Sequence, residues 1–165
     1  MIDLIKTRRS IRKFTDEPVT DATVDRVIEM GTWAPSGLNN QPWKFTVIRD
    51  RDLLNKLSRL TKYSSIVENA PVCIAVFLDL SVSYHREKDI QAIGACIQNM
   101  LLAIHCSGLG AVWLGEILNK RRQVEKLLNT HGDLEFMAVI ALGYPGEKKT
   151  AGQRKPFEQL IVARR

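Results

Sequence analysis

Four cations fall within six residues near the start of the chain, in the run Arg8-Arg9-Ser10-Ile11-Arg12-Lys13-Phe14. A hydroxyl set between guanidinium forks can satisfy the oxygens of a phosphate, so the run reads as either a solvated charge run or an anion cradle. A second stretch, Ala34-Pro35-Ser36-Gly37-Leu38-Asn39-Asn40-Gln41-Pro42-Trp43, is rich in hydrogen-bonding side chains and carries no charge. Its prolines and glycine make it a loop, and a mere connector is more often charged, which favours a binding loop. A third stretch runs from Gly108-Leu109-Gly110 through Trp113-Leu114 to Gly115-Glu116. A helix, a glycine turn and a short buried strand ending in glycine can bring backbone N–H groups against a flat ligand. No Ser-His-Asp set and no paired carboxylates occur, and His85, His105 and His131 stand apart. No catalytic side chain is assigned.

The elements that must position these residues follow from periodicity. Ile90, Ile93, Ile97, Met100 and Ile104 recur at steps of three and four, predicting a central helix that begins near Asp89 and stops at Gly108. Gln91, Gln98 and His105 stack on one side of it, either as a solvent-facing strip or as a polar seam at an interface or ligand. Asp3 to Thr7 predicts a short helix with Asp3 as N-cap, and Thr20 caps a second that runs toward Pro35. Trp43, Phe45 and Val47 alternate as a strand, and Leu53, Leu54, Leu57 and Leu60 follow at helical spacing. A further helical turn spans Tyr63 to Ala70. Val72–Leu78 and Phe136–Leu142 are continuous apolar runs and read as buried strands. Asn119 is the expected N-cap of a helix bearing Val124, Leu127 and Leu128, closed by Gly132. Leu160-Ile161-Val162 ends the chain as a short apolar segment suited to a sheet edge, including a partner's. The alternation gives α/β or α+β, with a mixed sheet between helices.

Length and composition bound the class. A chain of 165 residues, 45% apolar and 25% charged, fits one ordinary globular domain with a real core. No apolar run approaches the ~18–20 residues of a membrane span, and MIDLIKTRRS lacks a signal-peptide core, so a cytoplasmic protein is expected. The net charge of +6 raises nucleic acid as a partner, but no exposed aromatics interleave the scattered cations, so none is expected. Cys73, Cys96 and Cys106 lie in apolar segments without CxxC spacing, predicting buried thiols and neither disulfide nor metal. The dinucleotide fingerprint GxGxxG and the Walker A motif are both absent.

Taken together, these stretches resemble the flavin-dependent nitroreductase family. The residues that carry the likeness, in order, are Arg8-Arg9-Ser10-Ile11-Arg12-Lys13-Phe14, then Pro35-Ser36-Gly37 through Asn39 to Gln41-Pro42-Trp43, then Gly108-Leu109-Gly110 through Gly115-Glu116, then Arg154-Lys155-Pro156. The resemblance implies an α+β fold: a three-layer sandwich with a mainly antiparallel central sheet. It implies one domain over 1–165 whose C-terminal tail is exchanged with the partner of a homodimer. It further implies FMN at the dimer interface, with Arg8, Arg9 and Ser10 on the phosphate and ribityl chain and Arg12 near flavin N1 and O2. Pro35, Ser36, Gly37 and Asn39 would come from the other subunit, while Leu114, Gly115 and Glu116 would face flavin N5 and O4. Arg154 matches a phosphate contact. Many relatives carry a lysine two positions before it where this chain has Gly152, leaving Lys148, Lys149 or Arg9 to supply that charge.

The implied reaction is ping-pong: NADH or NADPH reduces the flavin, and a small acceptor such as a nitroaromatic or quinone then oxidises it. The residues do not distinguish the two nucleotides. The loops Tyr63–Glu68 and Ser81–Lys88 are the segments expected to choose the acceptor. Dehalogenation, flavin destruction and flavin storage are the alternatives carried on the same fold. The helix around Ile97 and Leu101 is expected at the contact between subunits, with FMN lost on dissociation.

Overall fold

The computed structural model describes residues 2–130, 132–148 and 151–165. His131 and Lys149 lie outside these described residues. The described residues form six α-helices: α1 (Ile2–Thr7), α2 (Asp21–Thr32), α3 (Arg51–Ser58), α4 (Ser64–Asn69), α5 (Arg86–Cys106) and α6 (Arg121–Leu127). Four strands, β1 (Trp43–Ile48), β2 (Val72–Asp79), β3 (Gly110–Leu114) and β4 (Leu134–Gly143), form one sheet in the order β1-β2-β4-β3. All three strand pairings are antiparallel. The parallel component of the expected mixed sheet is a single bridge, Ser10 to Ala111.

The two central strands explain why their sequences are apolar at every position. On one face Ile74, Val76, Leu78, Ala138, Ile140 and Leu142 pack with α2 and α5. On the other, Cys73, Ala75, Phe77, Phe136, Val139 and Ala141 pack with α3, α4 and α6. Each strand is therefore buried on both sides, and the result is a three-layer sandwich. Phe77 and Phe136 meet edge to face at 5.8 Å between ring centroids.

Thr20 caps α2 as expected, accepting from the N–H of Thr23 at 3.2 Å, and Gly108 takes φ +77 at the end of α5. Several boundaries differ. α5 begins at Arg86, so Asp89 is buried inside its first turn instead of opening it. Asp3 lies within α1 and not at its cap. Asn119 falls inside a 3₁₀ turn, Glu116–Lys120, and Lys120 is the N-cap of α6. Leu60 lies past the end of α3. Val47 is exposed on the edge strand β1, while Ile48, on the opposite face, is buried in the layer of α3, α4 and α6.

Cys73 and Cys96 are buried, and burial pushes both thiols up to about 12. Cys106 is exposed, unlike the expected buried thiol: in the same last turn of α5 it is Ile104 that faces the core. Ile97 and Leu101 are buried within the protomer, against α2 and the sheet, so they are not surface positions. What α5 leaves half-covered is the side bearing Gly94, Ala95, Gln98, Asn99 and Leu102. The polar row is not uniform: Gln91 is exposed, while His105 Nε2 lies 3.0 Å from Thr7 Oγ1 on α1.

An ionic cluster fastens α5 and α6 to β4. Glu135 accepts from Arg86 at 2.8 Å and also from Arg121. The Arg86 hydrogen bond, reinforced by the charge of Arg121, holds the Glu135 carboxyl below the usual range. A carboxyl lowered by folding stabilises the protein above its unfolded pKa, and that contribution is lost as pH falls through the folded value. Glu135→Gln should therefore cost about 1 kcal/mol in urea unfolding at pH 7, with the gap from wild type closing below about pH 4.

Candidate functional site

The N-terminal basic run is held along the β3 edge of the sheet. Ser10 bridges Ala111, and Ile11, itself buried, donates its N–H to Ala111 O at 3.0 Å. Farther on, Phe14 bridges Pro145, and Gly146 N–H donates to Lys13 O at 2.8 Å. Arg12 N–H donates to Glu147 Oε1 at 2.7 Å, and its side chain is exposed. These bonds fix Arg8 to Lys13 as a rim beside β3.

Arg8, Arg9 and Arg154 gather at that rim. Partial burial lowers the pKa of Arg8, and the charges of Arg154 and Arg9 lower it further. Three like charges brought together in one place are unfavourable by themselves and become favourable when an anion sits among them. Arg9 Nη1 also donates to the carbonyls of Lys6 and Arg8, both at 2.7 Å, which orients its guanidinium. That guanidinium occupies the space above Gly152, where a Cβ would fall 2.7 Å from Arg9 Cζ. A side chain at 152 and Arg9 in this position exclude one another.

Arg12 next lines a recess of about 220 Å³ with Leu114, Gly115 and Glu116, joined by Tyr63, Val112 and Trp113. Gly115 has φ −90 and ψ −23, which any residue adopts. A Cβ there would meet no atom within 4 Å, so the open space over the backbone is what its missing side chain provides. The Glu116 side chain is tied down at the wall of the recess. Thr61 Oγ1 donates to its Oε2 at 2.6 Å and Lys62 N–H at 3.2 Å. The Thr61 bond is the main reason its carboxyl lies below the usual range.

Pro35, Ser36 and Gly37 line a different recess, of about 350 Å³, with Tyr84, Lys88, Gln91, Ala92 and Ala95. It shares no lining residue with the Arg12 recess. Asn39, at φ 54, is exposed and lines neither. Within one chain, then, the expected residues form two separate surfaces. Sequence reasoning marked the loops holding Tyr63 and Tyr84 but missed Thr61, Asn40 and Asp89, which hold those loops in place. For Asp89 no local signal existed, since the N-cap of α5 is His85, without a side-chain cap bond, and the Ser83 to Asp89 spacing is not that of a capping box.

An antiparallel sheet between two helical layers, with recesses at its margin, defines an α+β three-layer sandwich. The nitroreductase family model matches residues 5–63 and 58–144. A protein of Methanothermobacter thermautotrophicus assigned as NADH dehydrogenase/NAD(P)H nitroreductase is 36% identical over 160 residues, covering 96% of this chain and 83% of that protein. The iodotyrosine deiodinase of Thermotoga neapolitana is 30% identical over 189 residues, covering 98% and 96%. A crystal structure of a protein assigned as a nitroreductase, in complex with FMN, from Desulfovibrio desulfuricans superposes with TM-score 0.94 at 46% identity, covering 99% of this chain and 96% of that one. The chain belongs to the nitroreductase family.

Proposed function

We propose that the protein is an FMN-dependent oxidoreductase in which NADH or NADPH is the electron donor and a small molecule such as a nitroaromatic or quinone is the acceptor. The observation that carries this is the pairing of a three-arginine cluster with the adjoining recess left open over Gly115. A terminal phosphate fits the first and a flat ring system fits the second. The FMN in the Desulfovibrio structure and the names of the relatives support the same reading.

FMN, when bound, supplies hydride transfer to and from the ring, and the two half-reactions share one place above it. In the proposed arrangement Arg8, Arg9, Ser10 and Arg154 bind the phosphate and ribityl end. Arg9 also supplies the charge that relatives place at position 152, since Arg9 fills that space. Arg12 sets a fixed cation at the end of the recess, where negative charge grows during reduction. Leu114, Gly115 and Glu116 offer backbone to the ring, and Thr61 holds the Glu116 carboxylate in one position. Pro35, Ser36, Gly37 and Asn39 reach the cofactor of a second subunit, which explains why the two surfaces are apart in one chain. The working unit is a homodimer of single-domain chains in the cytoplasm.

The test is direct. Purified protein should be yellow, and denaturation should release FMN, identified by mass, because the basic cluster is sized for one terminal phosphate and no dinucleotide fingerprint exists. The bound flavin should then be bleached by NADH or NADPH in stopped flow and recover its colour with menadione or a nitroaromatic. FAD as native ligand, or a flavin that neither nucleotide reduces, overturns the reading. The deiodinase relative makes dehalogenation the second reading, and release of iodide from iodotyrosine in the same assay favours it.

A further inference from the structure

The Tyr84 recess is built from two loops that touch each other through one buried acid. We propose that Asp89 is a positioning residue that latches the loop 36–41 to the segment 81–85 and so sets the wall against which the electron acceptor rests. This rests on the oxidoreductase reading above.

Asp89 is fully buried in the first turn of α5. Its Oδ1 accepts from Asn40 Nδ2 at 2.8 Å. Its Oδ2 accepts from Ser83 Oγ at 2.6 Å and from the N–H groups of Tyr84 and His85, both at 3.2 Å. No cation pairs with it among the described residues. The charge is thus met only by neutral donors and the positive end of α5. A buried carboxylate of this kind is costly, and an apolar core often does as well for stability. What it provides is four directed bonds to two loops at once.

Asn40 completes the latch, since the same amide donates to Val82 O at 3.2 Å. With the backbone of Tyr84 held from below, its phenol is seated on Gly37. A Cβ at Gly37 would lie 1.9 Å from Tyr84 Oη, so the ring takes the place of a side chain there. Tyr84 and Lys88 then line the recess opposite Pro35, Ser36 and Gly37. If the latch opens, the ring leaves that position and the recess loses one wall, while the core beneath α5 is untouched.

The experiment uses the FMN-loaded protein and three variants, Asn40→Ala, Ser83→Ala and Asp89→Asn, with menadione as acceptor. Hydrogen exchange by mass spectrometry reads the loops, and steady-state kinetics separates KM from kcat. In Asn40→Ala, exchange should rise in 81–85 as well as in 36–41, although the substitution lies in only one of them. At saturating FMN the KM for menadione should rise about tenfold, the equivalent of one lost hydrogen bond to a charged group, while kcat changes less than KM. Asp89→Asn combined with Asn40→Ala should raise KM by less than the two single changes added together, because both act on the same latch. Leu57→Ala, in the opposite core layer, should lower Tm and leave KM unchanged. Exchange confined to the substituted loop, or a KM within twofold of wild type in variants whose Tm falls, overturns the proposal. Should wild-type protein fail to pass electrons to menadione, the oxidoreductase reading fails, and the exchange data by themselves decide the latch.

Discussion

A chain cut after Lys155 should fold as a monomer and fail to retain FMN. The deleted residues form a 3₁₀ turn, Phe157–Leu160, followed by an extended end. Phe157, Leu160 and Val162 are exposed by 64%, 61% and 102%, an apolar cluster that its own chain does not cover. The backbone bonds of this segment, Gln159 to Pro156 and Ile161 to Glu158, are internal to it. Its removal therefore leaves the two core layers intact. If the three side chains are buried against a second subunit, each contributes about 1.5–3 kcal/mol. Their loss weakens the dimer by several powers of ten, at roughly tenfold for each 1.4 kcal/mol. Because the proposed FMN site takes residues from both subunits, flavin should leave with the partner. Sedimentation velocity followed at both protein and flavin absorbance checks the two losses together. A truncated chain that sediments as a yellow dimer would sink the exchanged-tail assignment. Leu102→Glu, on the half-covered side of α5, should act in the same direction. Ile97 and Leu101 are unsuitable for this purpose, since a charge there enters the protomer core and unfolds it.

The second large effect belongs to Arg12. Arg12→Ala should lower the reduction potential of the bound flavin and slow its reduction by NAD(P)H, while FMN affinity falls less. The guanidinium lies at the recess and not in the three-arginine cluster, so it contributes little to holding a phosphate. A cation beside a site that gains negative charge acts mainly on the reduced state. At a partly exposed position this interaction is worth on the order of 1–2 kcal/mol, or about 20–45 mV for a two-electron couple. A dye-equilibration titration gives the potential, and flavin fluorescence gives the affinity. An unchanged potential in the variant removes Arg12 from this role. Arg8→Ala provides the contrast: affinity should fall sharply while the potential of whatever flavin is bound stays near that of wild type.

Much of this arrangement is legible in the sequence, and the parts that are not share a cause. Val72–Leu78 and Phe136–Leu142 announce themselves because burial on both faces demands apolar residues at every position. Thr20 and Gly108 are equally plain, since cap and left-handed conformation depend on local chemistry. The start of α5 is hidden because Arg86, Glu87 and Lys88 look like a polar link until Glu135 is placed opposite Arg86. Position 152 shows only a missing lysine until Arg9, far away in the chain, is seen above it. Asn40, Thr61 and Asp89 are ordinary polar residues whose importance lies in partners tens of residues distant. Residue type carries short-range physics well; which loops meet is settled only when the strands close up into the sheet.

That closure has a consequence for synthesis. β4 sits between β2 and β3, pairing with Val72–Asp79 on one side and Gly110–Leu114 on the other. As the chain leaves the ribosome, β1 and β2 can pair early, but β3 has no strand of the sheet to pair with until residues 134–143 arrive. The basic run at the very start waits longer still, because Ser10, Lys13 and Arg12 are fastened to residues 111, 146 and 147. Non-local pairing of this kind is slow and leaves apolar edges exposed while it is incomplete. Residues 8–13 thus reach their places only after residues 146 and 147 have been made, and a chain cut before that point lacks the complete basic rim.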